Sequence, residues 1–126
     1  MAVIAIGLDV VESSRARALL ERHGDRILAR VLTEEERDYL RSLADPVPAF
    51  AARLAAKEAV YKALQVLPGA QAVGWREIGV HRLPDGRPEI VLTGRARELL
   101  LPHRVLIHIS LSHSHDVAAA VAILEG

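Results

Sequence analysis

Hydrophobic and polar positions alternate in several distinct rhythms along the chain. Residues 2–8, AVIAIGL, form a short unbroken apolar run that ends at Asp9. That length predicts a buried strand with Asp9 at its end, where the carboxylate either caps the following helix or serves a site. Residues 14–23 have helical spacing and are stopped by Gly24. Thr33, with Glu36 three residues later, forms a capping box, and Glu34, Glu35 and Glu36 suit the first turn of a helix over 34–43. After Asp45-Pro46-Val47-Pro48, residues 50–64 (FAARLAAKEAVYKAL) hold six alanines, no Gly or Pro and one β-branched residue, Val60. Intrinsic propensity makes this the strongest helix of the chain. Leu67-Pro68-Gly69-Ala70 closes it, and the stretch up to Gly74 reads as a mobile loop. Residues 75–82 and 87–92 alternate as two strands around the turn Leu83-Pro84-Asp85-Gly86. Thr93 opens a short helix through Leu101 that Pro102 ends. In 104–112, Val105, Ile107, Ile109 and Leu111 share one face, while Leu106, His108, Ser110 and Ser112 share the other. Pairing 105–111 with 117–124 of a last strand, VAAAVAILE, places His113 at a sheet end. The pattern as a whole predicts one α+β domain over residues 1–126: an antiparallel sheet packed against a long alanine-rich helix, with shorter helices beside it.

At 3.6 residues per turn, Ala52, Ala55, Ala56, Ala59 and Ala63 of the long helix line up as a stripe without bulk, against which another element can pack unusually close. Glu58 and Lys62 sit together beside that stripe, and Arg53 and Lys57 share a neighbouring strip. Two readings are open. A solvated charged face gains about 0.3 to 0.5 kcal/mol from the Glu58–Lys62 pair. Alternatively, a polar cluster on a rigid rod grips an anion and a metal.

Composition narrows the function classes. The 126 residues contain no cysteine, which rules out disulfides and thiolate metal sites and fits a cytoplasmic protein. No run of 18 apolar residues and no charged-then-apolar leader is present, so neither a membrane span nor a secretory signal is expected. Lys plus Arg and Asp plus Glu balance at 16 each, and aromatics are only 3%, so neither an overall field nor a stacking platform invites nucleic acid. Electrostatic recognition must be local. Five arginines between Arg15 and Arg30 face only Glu21 and Asp25, which gives a basic patch within a neutral chain.

Two familiar chemistries fit poorly. His108, His113 and His115 suggest zinc, but no Cys completes a four-ligand set, and His108 points away from the turn that holds the other two. Ser112 and His113 are neighbours on a strand and so point to opposite faces, which defeats a Ser-His dyad.

Three separated pieces, IGLDVVE (6–12), FAARLAAKEAVYKAL (50–64) and ISLSHSHDVAAAVAI (109–123), together resemble the holo-acyl-carrier-protein synthase branch of the 4′-phosphopantetheinyl transferases. The resemblance runs over nearly the whole chain and includes the Leu32-Thr33 helix start and the Asp85-Gly86-Arg87-Pro88 turn. It implies the fold of that family and an Mg²⁺-dependent transfer of the phosphopantetheine arm of coenzyme A to a serine of an apo acyl carrier protein, releasing adenosine 3′,5′-bisphosphate, in fatty acid biosynthesis. It assigns Asp9 and Glu58 as metal ligands, Lys62 to the pyrophosphate, and Glu58 also as acceptor of the serine proton. Arg53 and His113 look like the family's contacts to the 3′-phosphate, Arg87 and Pro88 like the segment against the nucleotide, and Arg15 and Arg26 like positions that dock the carrier. The family also implies a homotrimer. Ala52, Leu54 and Tyr61 stand where its members commonly have Gly, Phe and Ser, and a bulky Tyr61 beside Glu58 and Lys62 would narrow the pantetheine path. The competing expectation is a noncatalytic carrier-protein or nucleotide-binding module on the same fold.

Overall fold

A computed structural model describes residues 1–126. Strands β1 (Val3–Glu12), β4 (Leu106–His113) and β5 (Val117–Glu125) make an antiparallel sheet in the order β1-β5-β4, and β2 (Ile78–Arg82) pairs with β3 (Pro88–Leu92) as a separate hairpin. Helix α4 (Val47–Leu64) lies across the three-stranded sheet, flanked by α1 (Ser13–His23), α2 (Asp25–Val31), α3 (Glu34–Arg41) and α5 (Gly94–Leu100).

The alanine stripe does what its spacing predicts. Ala55, Ala56, Ala59 and Ala63 are fully buried, and the inward row of β5 is equally small, with Ala118, Ala120 and Ala122 beneath the helix. Two surfaces without bulk let helix and sheet approach closely. The tightest point is Gly7 on β1, where a Cβ would stand 1.8 Å from the carbonyl oxygen of Ala59. Phe50, Leu64, Leu32, Leu40 and Ile78 fill the rest of the core.

The predicted elements are present, with several differences. The first strand does not stop at residue 8. It runs to Glu12 because Asp9, Val10 and Val11 pair with Ala120, Ala119 and Ala118 of β5, so Asp9 lies inside the strand. Nor is that strand covered on both sides: Ile4, Ile6, Leu8 and Val10 are 43 to 64% exposed on its outer face. The segment read as a mobile loop is tied down, with Ala70–Ala72 and Trp75–Glu77 each forming a single 3₁₀ turn and Ala70 fully buried. Consequently β2 begins at Ile78 rather than 75. Helix α2 was not anticipated; its seven residues are too few to be stable by propensity and are held by burial of Leu28 and Val31. The capping box of Thr33 and Glu36 forms, and the register places His113 opposite Ala118 at the sheet end.

Candidate active site

The polar residues of α4 lie in two strips, one on each side of the alanine stripe. Successive residues turn by about 100°, so Arg53 and Lys57 point to one flank and Glu58 and Lys62 to the other. What each strip meets determines its chemistry.

On the β1 flank, Gly7 and Asp9 share the inward face of the strand, and the close approach at Gly7 brings α4 down onto Asp9. Lys62 Nζ donates to Asp9 Oδ1 at 3.0 Å and to the Leu8 carbonyl at 3.0 Å. The Glu58 carboxyl lies against Asp9, and Arg15 of α1 approaches Glu58 Oε1 at 3.5 Å. Burial pushes the Glu58 carboxyl above its ordinary range, as does the neighbouring Asp9 carboxylate, while Arg15 and Lys62 pull it back. Asp9 Oδ2 is buried and has no partner. Two carboxyls forced together, one with an orphaned oxygen, suit a hard divalent cation that takes one or two carboxylates and fills its remaining positions with phosphate and water. No third His, Asp or Glu joins them, so a site built wholly from protein ligands is not present.

On the other flank, Lys57 is fully buried. Its Nζ reaches Glu36 Oε1 at 2.8 Å and donates to the carbonyls of Trp75 at 3.0 Å and Ile78 at 2.6 Å. Glu36 also accepts the N–H groups of Thr33 and Val80, both at 2.7 Å. Burial lowers the Lys57 pKa, against the opposing charge of Glu36. One turn earlier, Arg53 and His113 line a cavity of about 360 Å³ between α3, α4, the hairpin and β4, together with Gly86 and Pro88 of the hairpin turn. Asp9, Glu58 and Lys62 do not line it.

The remaining predicted residues divide. Pro88 faces the cavity, whereas Arg87 is exposed and folded back on Asp85, with Nε 2.7 Å from Oδ2. Arg15 belongs to the carboxylate cluster, while Arg26 lies apart in a small basic groove with His23, Ile27 and Arg30. Tyr61 turns towards Gln71, donating to its carbonyl at 3.1 Å, and its ring stands 6.0 Å from that of Trp75. His108 pairs with Glu125 on the outer face of the sheet, away from His113. A larger, mostly apolar groove of about 430 Å³ between β3, α5 and β4 holds none of the predicted residues. Sequence reasoning missed Glu36, Tyr39 and Arg82. The available signal was Lys57, a cation set among alanines and therefore in need of a buried partner.

The chain is similar over nearly its whole length to known proteins. A family model for the 4′-phosphopantetheinyl transferase superfamily matches residues 5–122. The holo-[acyl-carrier-protein] synthase of Chlamydia pneumoniae is 40% identical over 123 residues, 98% of each chain. That of Moorella thermoacetica is 43% identical over 124 residues, 98% of this chain and 94% of the relative. Among solved structures, the holo-[acyl-carrier-protein] synthase from Neisseria meningitidis superposes with a TM-score of 0.83 at 27% identity, covering 98% of this chain and 99% of that one. A Chronobacterium ammoniagenes ACPS-CoA complex gives 0.84 at 28% identity, covering 98% and 97%.

Proposed function

Because the chain belongs to the 4′-phosphopantetheinyl transferase superfamily, we propose that it is a holo-acyl-carrier-protein synthase, moving the 4′-phosphopantetheine of coenzyme A to a serine of an apo acyl carrier protein. The observation that carries this reading is the Asp9–Glu58 pair, held by Lys62 and Arg15 with one buried oxygen unpartnered.

In the reaction, the serine oxygen forms a bond to the pantetheine-side phosphorus, the pyrophosphate P–O bond breaks, and adenosine 3′,5′-bisphosphate leaves with the electron pair. Glu58 takes the serine proton, as the carboxyl of the pair that lies closest to solvent and to Arg15. Lys62 and Arg15 offset negative charge on the pyrophosphate. Asp9 and Glu58 would hold Mg²⁺, which when bound supplies positive charge at the phosphates and an anchor for their orientation. Arg53 and His113 receive the 3′-phosphate, where a guanidinium fork matches phosphate oxygens. Pro88 supports the nucleotide, and Arg87 reaches it only by releasing Asp85. Arg26, with Arg30 beside it, docks the acidic surface of the carrier, and Arg15 faces the point where the serine arrives.

The same reading includes a homotrimer working in the cytoplasm on fatty acid biosynthesis. The nucleotide cavity and the carboxylate pair flank α4 on opposite sides, so a cleft that needs both is completed by a second copy. The exposed Ile4, Ile6, Leu8 and Val10 offer an apolar face for that assembly. Light scattering that finds a fully active monomer would remove the trimer.

Incubating the chain with coenzyme A, Mg²⁺ and an apo carrier protein tests the activity by intact mass. The carrier should gain one phosphopantetheine, and omitting Mg²⁺ should abolish the gain. Binding of both partners without transfer would make the chain a noncatalytic module instead.

A further inference from the structure

Two cations share one aromatic ring in the nucleotide cavity. The guanidinium carbon of Arg53 stands 4.8 Å from the centre of the Tyr39 ring, and that of Arg82 stands 4.5 Å from it. Neither arginine forms an ion pair. Arg53 is 6% exposed, its Nε is buried without a partner, and its hydrogen bond is a single one, from Nη1 to the Ala49 carbonyl at 3.2 Å. The carboxylates nearest to them are already committed: Glu36 to Lys57 at 2.8 Å, and Glu35 to His81 at 2.5 Å. Burial lowers the Arg53 pKa against the charge of Glu36, and the charge of Arg82 lowers it further. Like charges held together and partly desolvated, with free N–H donors facing a cavity, are stabilised when an anion enters.

Arg82 arrives there by strand alternation. It is the last residue of β2 and shares a face with Val80, which is buried against α3 and α4, so its side chain returns over Tyr39 rather than out to solvent. The phenol ring gives both guanidiniums a flat support and fixes their planes.

We propose that Arg82, stacked on Tyr39 beside Arg53, is a second phosphate-binding residue, and that the group it holds is the phosphomonoester on the ribose of coenzyme A. This assignment rests on the transferase reading above. It makes Arg82 a specificity residue: a monoester brings close to two negative charges, and a donor lacking it leaves the cluster unneutralised.

The test compares coenzyme A with 3′-dephospho-coenzyme A as donors for the parent chain, Arg82→Gln and Arg82→Lys. Arg82→Gln should raise KM for coenzyme A about tenfold with kcat changed less than about twofold, and should move KM for the dephospho donor by less than about twofold. Arg82→Lys, which keeps the charge and loses the planar stack, should fall between. Equal effects on the two donors, or a KM for coenzyme A within about threefold of the parent, would overturn the assignment, since a residue that only braces α3 against β2 cannot distinguish donors by one phosphate. If Arg82→Gln folds poorly, Arg82→Lys carries the comparison. If the parent transfers from neither donor, the transferase reading falls, and calorimetric binding of adenosine 3′,5′-bisphosphate against adenosine 5′-monophosphate decides Arg82: a loss of about tenfold confined to the bisphosphate supports it, and equal losses refute it.

Discussion

Gly7→Ala is the smallest change that should separate the sheet from the helix. The new methyl carbon would stand 1.8 Å from the Ala59 carbonyl oxygen, 2.8 Å from the Ala59 carbonyl carbon and 3.0 Å from the Ala63 nitrogen. All three are backbone atoms, so no rotamer change relieves the clash. Ordinary contact requires α4 and β1 to part by about 1.6 Å, and a gap of even 1 Å forfeits up to about half of the dispersion between facing atoms. The loss spreads along the seam of Ala55, Ala56, Ala59 and Ala63, where no longer side chain can bridge the space. Overpacking in a core usually costs about 1 to 3 kcal/mol, and this case, lacking side-chain relief, belongs at about 3 or above. For a domain of this size that lowers Tm by roughly 12 °C or more. Thermal unfolding followed by circular dichroism measures it, with Gly86→Ala as the comparison. Gly86 has a φ of +90° and nothing within 4 Å of its missing Cβ, so its replacement should lose only about 1 kcal/mol of stability, to backbone strain alone. Gly7→Ala should also lose transfer activity below its melting temperature, because Gly7 is two residues from Asp9 on one face and Ala59 adjoins Glu58. A Tm within about 3 °C of the parent would refute the close-approach argument.

Other perturbations test the remaining parts. Glu58→Gln and Asp9→Asn should each cut turnover at least about 100-fold while the chain still folds, and unchanged turnover in Glu58→Gln would end the proposed chemistry. Lys57→Met should cost about 3 to 5 kcal/mol in urea unfolding, because it strands Glu36 as an unpaired buried charge, and a loss under about 1 kcal/mol would contradict the burial of that pair. Burial raises the Glu77 carboxyl pKa, but the N–H groups of Gly74, Arg95 and Ala96, with the charge of Arg95, outweigh it and hold the carboxyl below its ordinary value of 4.5. Its stabilisation is therefore complete above about pH 4.5 and is lost as pH falls through the lowered value, so Glu77→Gln should melt below the parent at neutral pH and converge with it in acid. A constant Tm gap across that range would contradict it. Arg26→Ala should raise KM for the carrier several-fold, more at low salt, and leave KM for coenzyme A unchanged; equal changes in both would remove its docking role.

The sequence was most legible where the signal was local. Helix α4 needed only its alanines, and Pro48 in its first turn let it begin at Val47, earlier than 50. The capping box, the hairpin turn and the register of β4 on β5 were likewise written within a few residues each. What stayed hidden depended on partners far along the chain. An aspartate in an apolar run reads as an end until β5, over 100 residues later, supplies Ala120 opposite it. Helix α2 is too short to announce itself without the surfaces that bury Leu28 and Val31. The patch of arginines in α1 and α2 was visible as composition, yet only the fold separates Arg15, which meets Glu58, from Arg26, which does not.

The role of Lys57 shows why the site and the core cannot be considered separately. A cation that is fully buried and bound to Glu36, Trp75 and Ile78 fixes how α4 is rolled about its own axis. With that roll set, the next residue, Glu58, turns about 100° away, towards β1, where Gly7 leaves room for the approach and Asp9 waits; Lys62 follows Glu58 by four residues and meets the same aspartate. Arg53, four residues before Lys57, is carried to the opposite flank and onto Tyr39. One buried ion pair thus orients both polar strips, and orients them back to back. A helix rolled this way cannot present its carboxylates and Arg53 to one ligand from the same side, so the proposed transfer calls for a second copy to complete the cleft.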